Sequence, residues 1–209
     1  MTKTISRVYE DYAAAEETVR ELRGAGLGAS NIGLVASNAD GWHRPGASSV
    51  NPLHDKDRDG KDDRAEGAAT GGGLGAILGG AAGAAAGLGM IAIPGIGPVV
   101  AAGWLAALAA GAVGGGVAGG LIGALVESGT SKENAELYAE ALRRGGAIVT
   151  AKVSDDDEKQ FSAIMDHRAY DVSDRATAWR DEGWSGYDPN APVFTADEVR
   201  RERETYHRP

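Results

Sequence analysis

Apolar and polar positions alternate over residues 5–9, which predicts a short strand. Asp11 is placed to cap a helix at 13–23, where Ala15, Val19 and Leu22 recur on one face. Gly24 and Gly26 end that helix, and NIGLVA at 31–36 predicts a second strand. The same kind of pattern resumes near residue 130. Thr130 and Glu133 have capping-box spacing for a helix running to Arg144, with Leu137, Tyr138, Ala141 and Leu142 as its packing face. AIVTAKV at 147–153 predicts a strand, and a helix follows from Asp155 or Asp156 to His167 with Phe161, Ile164 and Met165 turned inward. Residues 170–172 predict a short last strand.

These elements predict an α+β fold. Setting aside the inserted segment and the helix after it leaves the βαββαβ order of a ferredoxin-like sandwich, an antiparallel sheet covered on one face by two helices. The expected organisation is a split domain, 1–37 and 128–175, with an acidic linker at 38–66 and an insertion at 67–127. An aromatic and charged tail follows at 176–209. The tail carries Trp179, Trp184, Tyr187 and Phe194, which either pack along the domain or form a docking surface for a partner protein. Residues 196–208 predict a charged, solvated helix with Asp197 as its cap.

The insertion is where composition changes the picture. Of the 32 glycines in the 209 residues, 20 lie between Gly67 and Val126, a stretch without a single charge. Gly71, Gly75, Gly79, Gly83 and Gly87 recur every four residues. Gly103, Ala107, Gly111, Gly115, Gly119 and Gly123 repeat the spacing. On helices, such positions form one groove almost free of side-chain volume and invite close backbone approach. IPGIGP at 93–98 predicts a reversal between two helical arms, 68–92 and 99–126. At 1.5 Å per residue the arms would be roughly 37 and 42 Å long, against about 30 Å for a hydrocarbon layer.

That length leads to an expected transmembrane hairpin, with the soluble parts in the cytoplasm. The alternative is a soluble homo-oligomer built on a buried glycine-zipper core. The net charge of −9 argues against nucleic acid as a partner and supplies no polybasic patch for anionic lipid. The chain has no cysteine, so disulfides and thiol chemistry are excluded. MTKTISRVYEDY lacks the apolar core of a secretory signal.

One metal-ligating pattern stands out. Asp55, Asp57, Asp59, Lys61 (through its carbonyl), Asp63 and Glu66 occupy ligand positions of a twelve-residue calcium loop, with Gly60 at its sixth position. Against it, Asp62 replaces the usual apolar residue, NPLH makes a poor entering helix, and no second copy exists. A solvated charged linker is the leading reading, and calcium is the single cofactor suggested. His43, His54, His167 and His207 have no ligand spacing. The glycine run lacks the lysine and hydroxyl pair of a phosphate loop, and GLGASNIG precedes a strand where a dinucleotide fingerprint would open a helix. No catalytic constellation can be selected, which predicts a protein that is not an enzyme.

Three ordered blocks resemble a known family. VYEDYAAAEETVRELRGAGLGASNIGLVA, ENAELYAEALRRGGAIVTAKV and AYDVSDR are similar to the general stress protein 17M-like domain, the YflT heat-induced stress protein family. The resemblance covers roughly residues 3–37 and 130–175. It implies a stress-associated, noncatalytic protein and carries over no catalytic residues. The combined expectation is a stress-linked, membrane-anchored scaffold that self-associates through its hairpin.

Overall fold

The computed structural model describes residues 2–43, 89–93, 95–106 and 119–206. Five antiparallel strands form its centre: β1 (Thr2–Tyr9), β2 (Ile32–Ser37), β3 (Gly89–Ile93), β4 (Gly97–Gly103) and β5 (Ala147–Ser154). They lie side by side in the order β1-β5-β2-β4-β3. The described helices are α1 (Tyr12–Gly24), α2 (Gly119–Glu127), α3 (Lys132–Arg143), α4 (Glu158–Asp166), α5 (Val172–Asp181) and α6 (Ala196–Tyr206).

Strand alternation divides the apolar residues between two cores. Ile5, Tyr9, Leu34, Ala36, Val149 and Ala151 face α1 and α4, where Leu22, Phe161 and Met165 meet them. Val8, Val35, Val99, Ala101 and Ile148 belong to a second cluster with Leu121 and Leu125 of α2, Leu142 of α3 and Trp179 of α5. The sheet is therefore covered on both faces, whereas the sequence suggested one. Central β2 is buried along its whole length, as expected of a strand with packing on either side.

Polar residues at the helix ends explain where the helices begin. Asp11 accepts from the Ala14 N–H at 2.9 Å and caps α1 as expected. The cap of α3 is Ser131, which accepts from the Asn134 N–H at 3.2 Å. Thr130 instead faces Ser6, with their hydroxyl oxygens 3.4 Å apart. The expected strand at 170–172 is reduced to one bridge, between Tyr170 and Val8, because Asp171 caps α5 through the Ser173 N–H at 2.7 Å. Thr195, rather than Asp197, forms the capping box of α6 with Glu198.

The largest correction concerns the helical hairpin. The reversal at IPGIGP is real, but it joins strands. Ile93 pairs with Gly97, Ile91 with Val99 and Gly89 with Ala101. The Ile96 N–H closes the turn on the Ile93 carbonyl at 3.1 Å, and Gly95 adopts the positive φ of 75° that a turn of this kind requires. Residues 89–92 and 99–103 thus leave the two expected helical arms. The described part of helix α2 has nine residues, about 13 Å, far short of a membrane span. No helix among the described residues is long and apolar enough to cross a membrane. The expected transmembrane anchor and the membrane location drawn from it are overturned on these grounds.

Candidate functional site: the seam between α3 and the C-terminal tail

The densest chemistry lies where the last turn of α3 meets the tail. Alanines at 135, 139 and 141 let α3 sit deep, and this carries Glu140 inside with it, leaving it 1% exposed. Its carboxylate accepts from Arg143 Nε at 2.8 Å and Nη2 at 2.6 Å, and from Arg144 Nε at 2.7 Å. Two guanidiniums on one buried carboxylate leave a positive excess, and the tail meets it. Arg144 donates to Glu202 of α6 at 3.2 Å, and Arg143 donates to the Pro192 carbonyl at 3.0 Å.

Further contacts hold the same segment. Arg203 donates to Asp40 at 2.7 Å and to the Gly145 carbonyl at 2.9 Å. Trp179 Nε1 donates to Glu202 at 2.7 Å. The Arg143 guanidinium lies 4.6 Å from the Phe194 ring centre, and that of Arg144 lies 4.7 Å from the Trp179 ring. Arg175 pairs with Glu10 and stacks 3.9 Å from the Tyr206 ring. Burial works against the charge of Arg144, but Glu140 and Glu202 outweigh it and hold its pKa above the ordinary value.

Chemically, the seam is a closed lock of opposite charges. Glu10, Arg144, Tyr170, Arg175, Trp179 and Glu202 border a cavity of about 10 Å³. That is room for about one water molecule, whereas small-molecule sites usually enclose about 300 Å³ or more. The tail aromatics pack on the chain: Trp179 is 1% exposed, and Trp184 and Tyr187 lie against the α2–α3 core. Trp184 Nε1, Tyr187 Oη, Tyr206 Oη, Arg203 Nε and Asp40 Oδ1 have no protein hydrogen-bond partner among the described residues.

Burial raises the pKa of all six tyrosines, to about 12 for Tyr187; at Tyr12, where Glu16 adds to burial, the value is also about 12. An unfolded tyrosine ionises near pH 10, so above that point the unfolded chain binds fewer protons than the folded one. Stability from these groups is complete below about pH 10 and falls as pH rises beyond it. The urea midpoint at about pH 11 is expected below that at about pH 9, and equal midpoints would contradict the assignment.

The residues singled out from sequence are not gathered here. The calcium-loop candidates Asp55, Asp57, Asp59, Lys61, Asp63 and Glu66 lie outside the described residues. So do Gly71, Gly75, Gly79, Gly83, Gly87, Ala107, Gly111 and Gly115. Among the described residues, no cluster of three or more His, Asp or Glu is arranged to hold a metal. Gly103 ends a strand, and Gly119 and Gly123 lie in α2. A Cβ added at Gly123 would meet nothing within 4 Å among the described residues. Glu140, Arg144, Asp40, Glu202 and Arg203 were missed. The readable signal was an acid amid apolar helix positions in AELYAEALRR, followed three and four residues later by arginines.

No protein-family model matches the chain, and no curated protein or solved structure matches it either.

Proposed function

We propose that this chain is a noncatalytic self-association protein that assembles by edge-to-edge pairing of β3 with β3 of a second copy. The contrast between the two sheet edges carries this reading. β1 holds Lys3 and Arg7, tied to Glu158 and Asp166 of α4, and its outer side meets Tyr170. β3, GMIAI, has neither charge nor proline and pairs on one side only among the described residues. Natural sheets usually guard an edge with such residues, and an unguarded edge is a template for another strand. In a chain of net charge −9, an uncharged strand is also where two copies approach with least repulsion.

We further propose a ferredoxin-like unit as the frame of this assembly; the succession β1, α1, β2, β5, α4 and the Tyr170 bridge supports it, with the β3–β4 hairpin as an addition. Association with stress rests on the 17M-like resemblance alone. A helical glycine zipper is the less favoured route to assembly, because Gly103 lies in a strand.

Light scattering across a concentration series of the full chain tests the proposal. Mass is expected to rise with concentration. Ala92 is exposed on β3, so Ala92→Lys places like charges on the paired edges without a burial penalty. The dissociation constant is expected to weaken roughly tenfold or more. A chain that stays monomeric throughout, or an Ala92→Lys variant with unchanged association, would refute edge pairing.

A further inference from the structure

We infer that the β3 edge takes a second copy in one geometry, antiparallel about a two-fold axis with Ile91 opposite Ile91, and that assembly closes at two copies. This rests on the self-association reading above and adds its register, its symmetry and its limit. Backbone alternation decides which groups of β3 are free. The Ile93 carbonyl accepts from the Ile96 N–H across the turn, so Ile93 directs its backbone polar groups toward β4. On the far flank of β4, the Pro98 carbonyl accepts from the Asn38 N–H at 2.8 Å, so Pro98 faces away from β3. Pro98 lies opposite Ala92. Residues of an antiparallel ladder alternate between pairs that exchange hydrogen bonds and pairs that do not, and both observations give the same assignment. Gly89, Ile91 and Ile93 bond within the hairpin. Met90 and Ala92 each turn an N–H and a C=O to the open edge.

That edge is self-complementary in a single register. An antiparallel ladder joins outward-facing residues to outward-facing residues. With Ile91 opposite Ile91, Met90 of each copy meets Ala92 of the other, and every free N–H finds a carbonyl. Moving the axis one residue toward the turn sets Met90 against Pro94, which has no N–H to give. Moving it one residue the other way sets Ala92 against Leu88, outside β3. The turn itself is braced by the chain. A Cβ added at Gly95 would run into the Pro189 carbonyl, and one at Gly97 would lie 3.4 Å from Val193 Cβ. A hairpin fixed before encounter loses less freedom on pairing. Growth stops at two copies because a two-fold contact consumes the same edge of both. The edge left over is β1, where the Val8 carbonyl already accepts from the Tyr170 N–H at 3.2 Å and Lys3 and Arg7 carry charge.

Single-cysteine crosslinking of the full chain tests this, since the native chain has no cysteine. Residues opposed in a pair without hydrogen bonds have Cα atoms about 4.5 Å apart, inside the usual disulfide range of about 4.4–6.8 Å. Two copies of Met90, or of Ala92, would be diagonal neighbours about 7–8 Å apart. Under mild oxidation, Ile91→Cys is expected to form an interchain disulfide at least roughly tenfold faster than Met90→Cys or Ala92→Cys alone. Mixing the Met90→Cys and Ala92→Cys chains is expected to restore crosslinking, because those positions face each other. Light scattering of the native chain is expected to level off at about twice the monomer mass. If the native chain associates but Ile91→Cys does not lead, the register is overturned and self-association stands. Growth past two copies overturns the closed dimer in the same way. If the native chain stays monomeric, self-association fails and this inference with it.

Discussion

Replacing Glu140 with alanine should remove about 3–5 kcal/mol of folding stability in urea titrations. The carboxylate is 1% exposed and accepts three hydrogen bonds from Arg143 and Arg144. Removing it strands two guanidiniums whose side chains are only 11% and 10% exposed. Glu202 remains for Arg144, but Arg143 keeps just the Pro192 carbonyl and the face of the Phe194 ring. The loss therefore comes mainly from uncompensated buried charge, not from the intrinsic worth of an ion pair. Glu16→Ala is the matched control, since its pairing with Arg20 leaves both side chains about half exposed or more, at 48% and 63%. Its effect is expected within about 0.5 kcal/mol. A Glu140→Ala loss below about 1 kcal/mol would mean that the seam is not a buried lock.

The seam shows why only part of the architecture was legible. Elements with large side chains at a clear period were readable: Leu22 in α1, Leu34 in β2, Val149 in β5 and Phe161 in α4 all point where alternation or helical spacing places them. Glu140 was hidden because a charge on a helix ordinarily marks the solvated face, and only packing by the tail reverses that. Coverage of the second sheet face was hidden for a related reason. α3 buries Ala135, Leu137, Tyr138, Ala139, Ala141 and Leu142, a swath too broad for one amphipathic stripe. In the β3–β4 region the failure was one of period. Small residues define a face by missing volume, so glycines four apart coexist with the short apolar runs GMIAI and PVVAAG of a hairpin. The turn was legible under either reading because proline and glycine act on the backbone locally.

Two glycines from that four-residue series separate the strand from the helix by sign. In an exposed helix, Gly→Ala stabilises by up to about 1 kcal/mol. Gly123 is exposed in α2, with nothing within 4 Å of its missing Cβ among the described residues, and is expected to behave so. Gly103 is expected to do the reverse. It pairs with Gly33 at the end of β4, has φ +70°, and leaves only 2.0 Å between an added Cβ and the Ile32 carbonyl oxygen. The obstructing atom is backbone, so no rotamer change relieves the contact. Gly103→Ala must strain its φ or push β4 from β2, with an expected loss of roughly 2–4 kcal/mol. Opposite shifts in the urea midpoints of Gly103→Ala and Gly123→Ala would support the strand assignment. A gain at both positions would restore the helical arm and remove the sheet edge on which the proposed assembly depends.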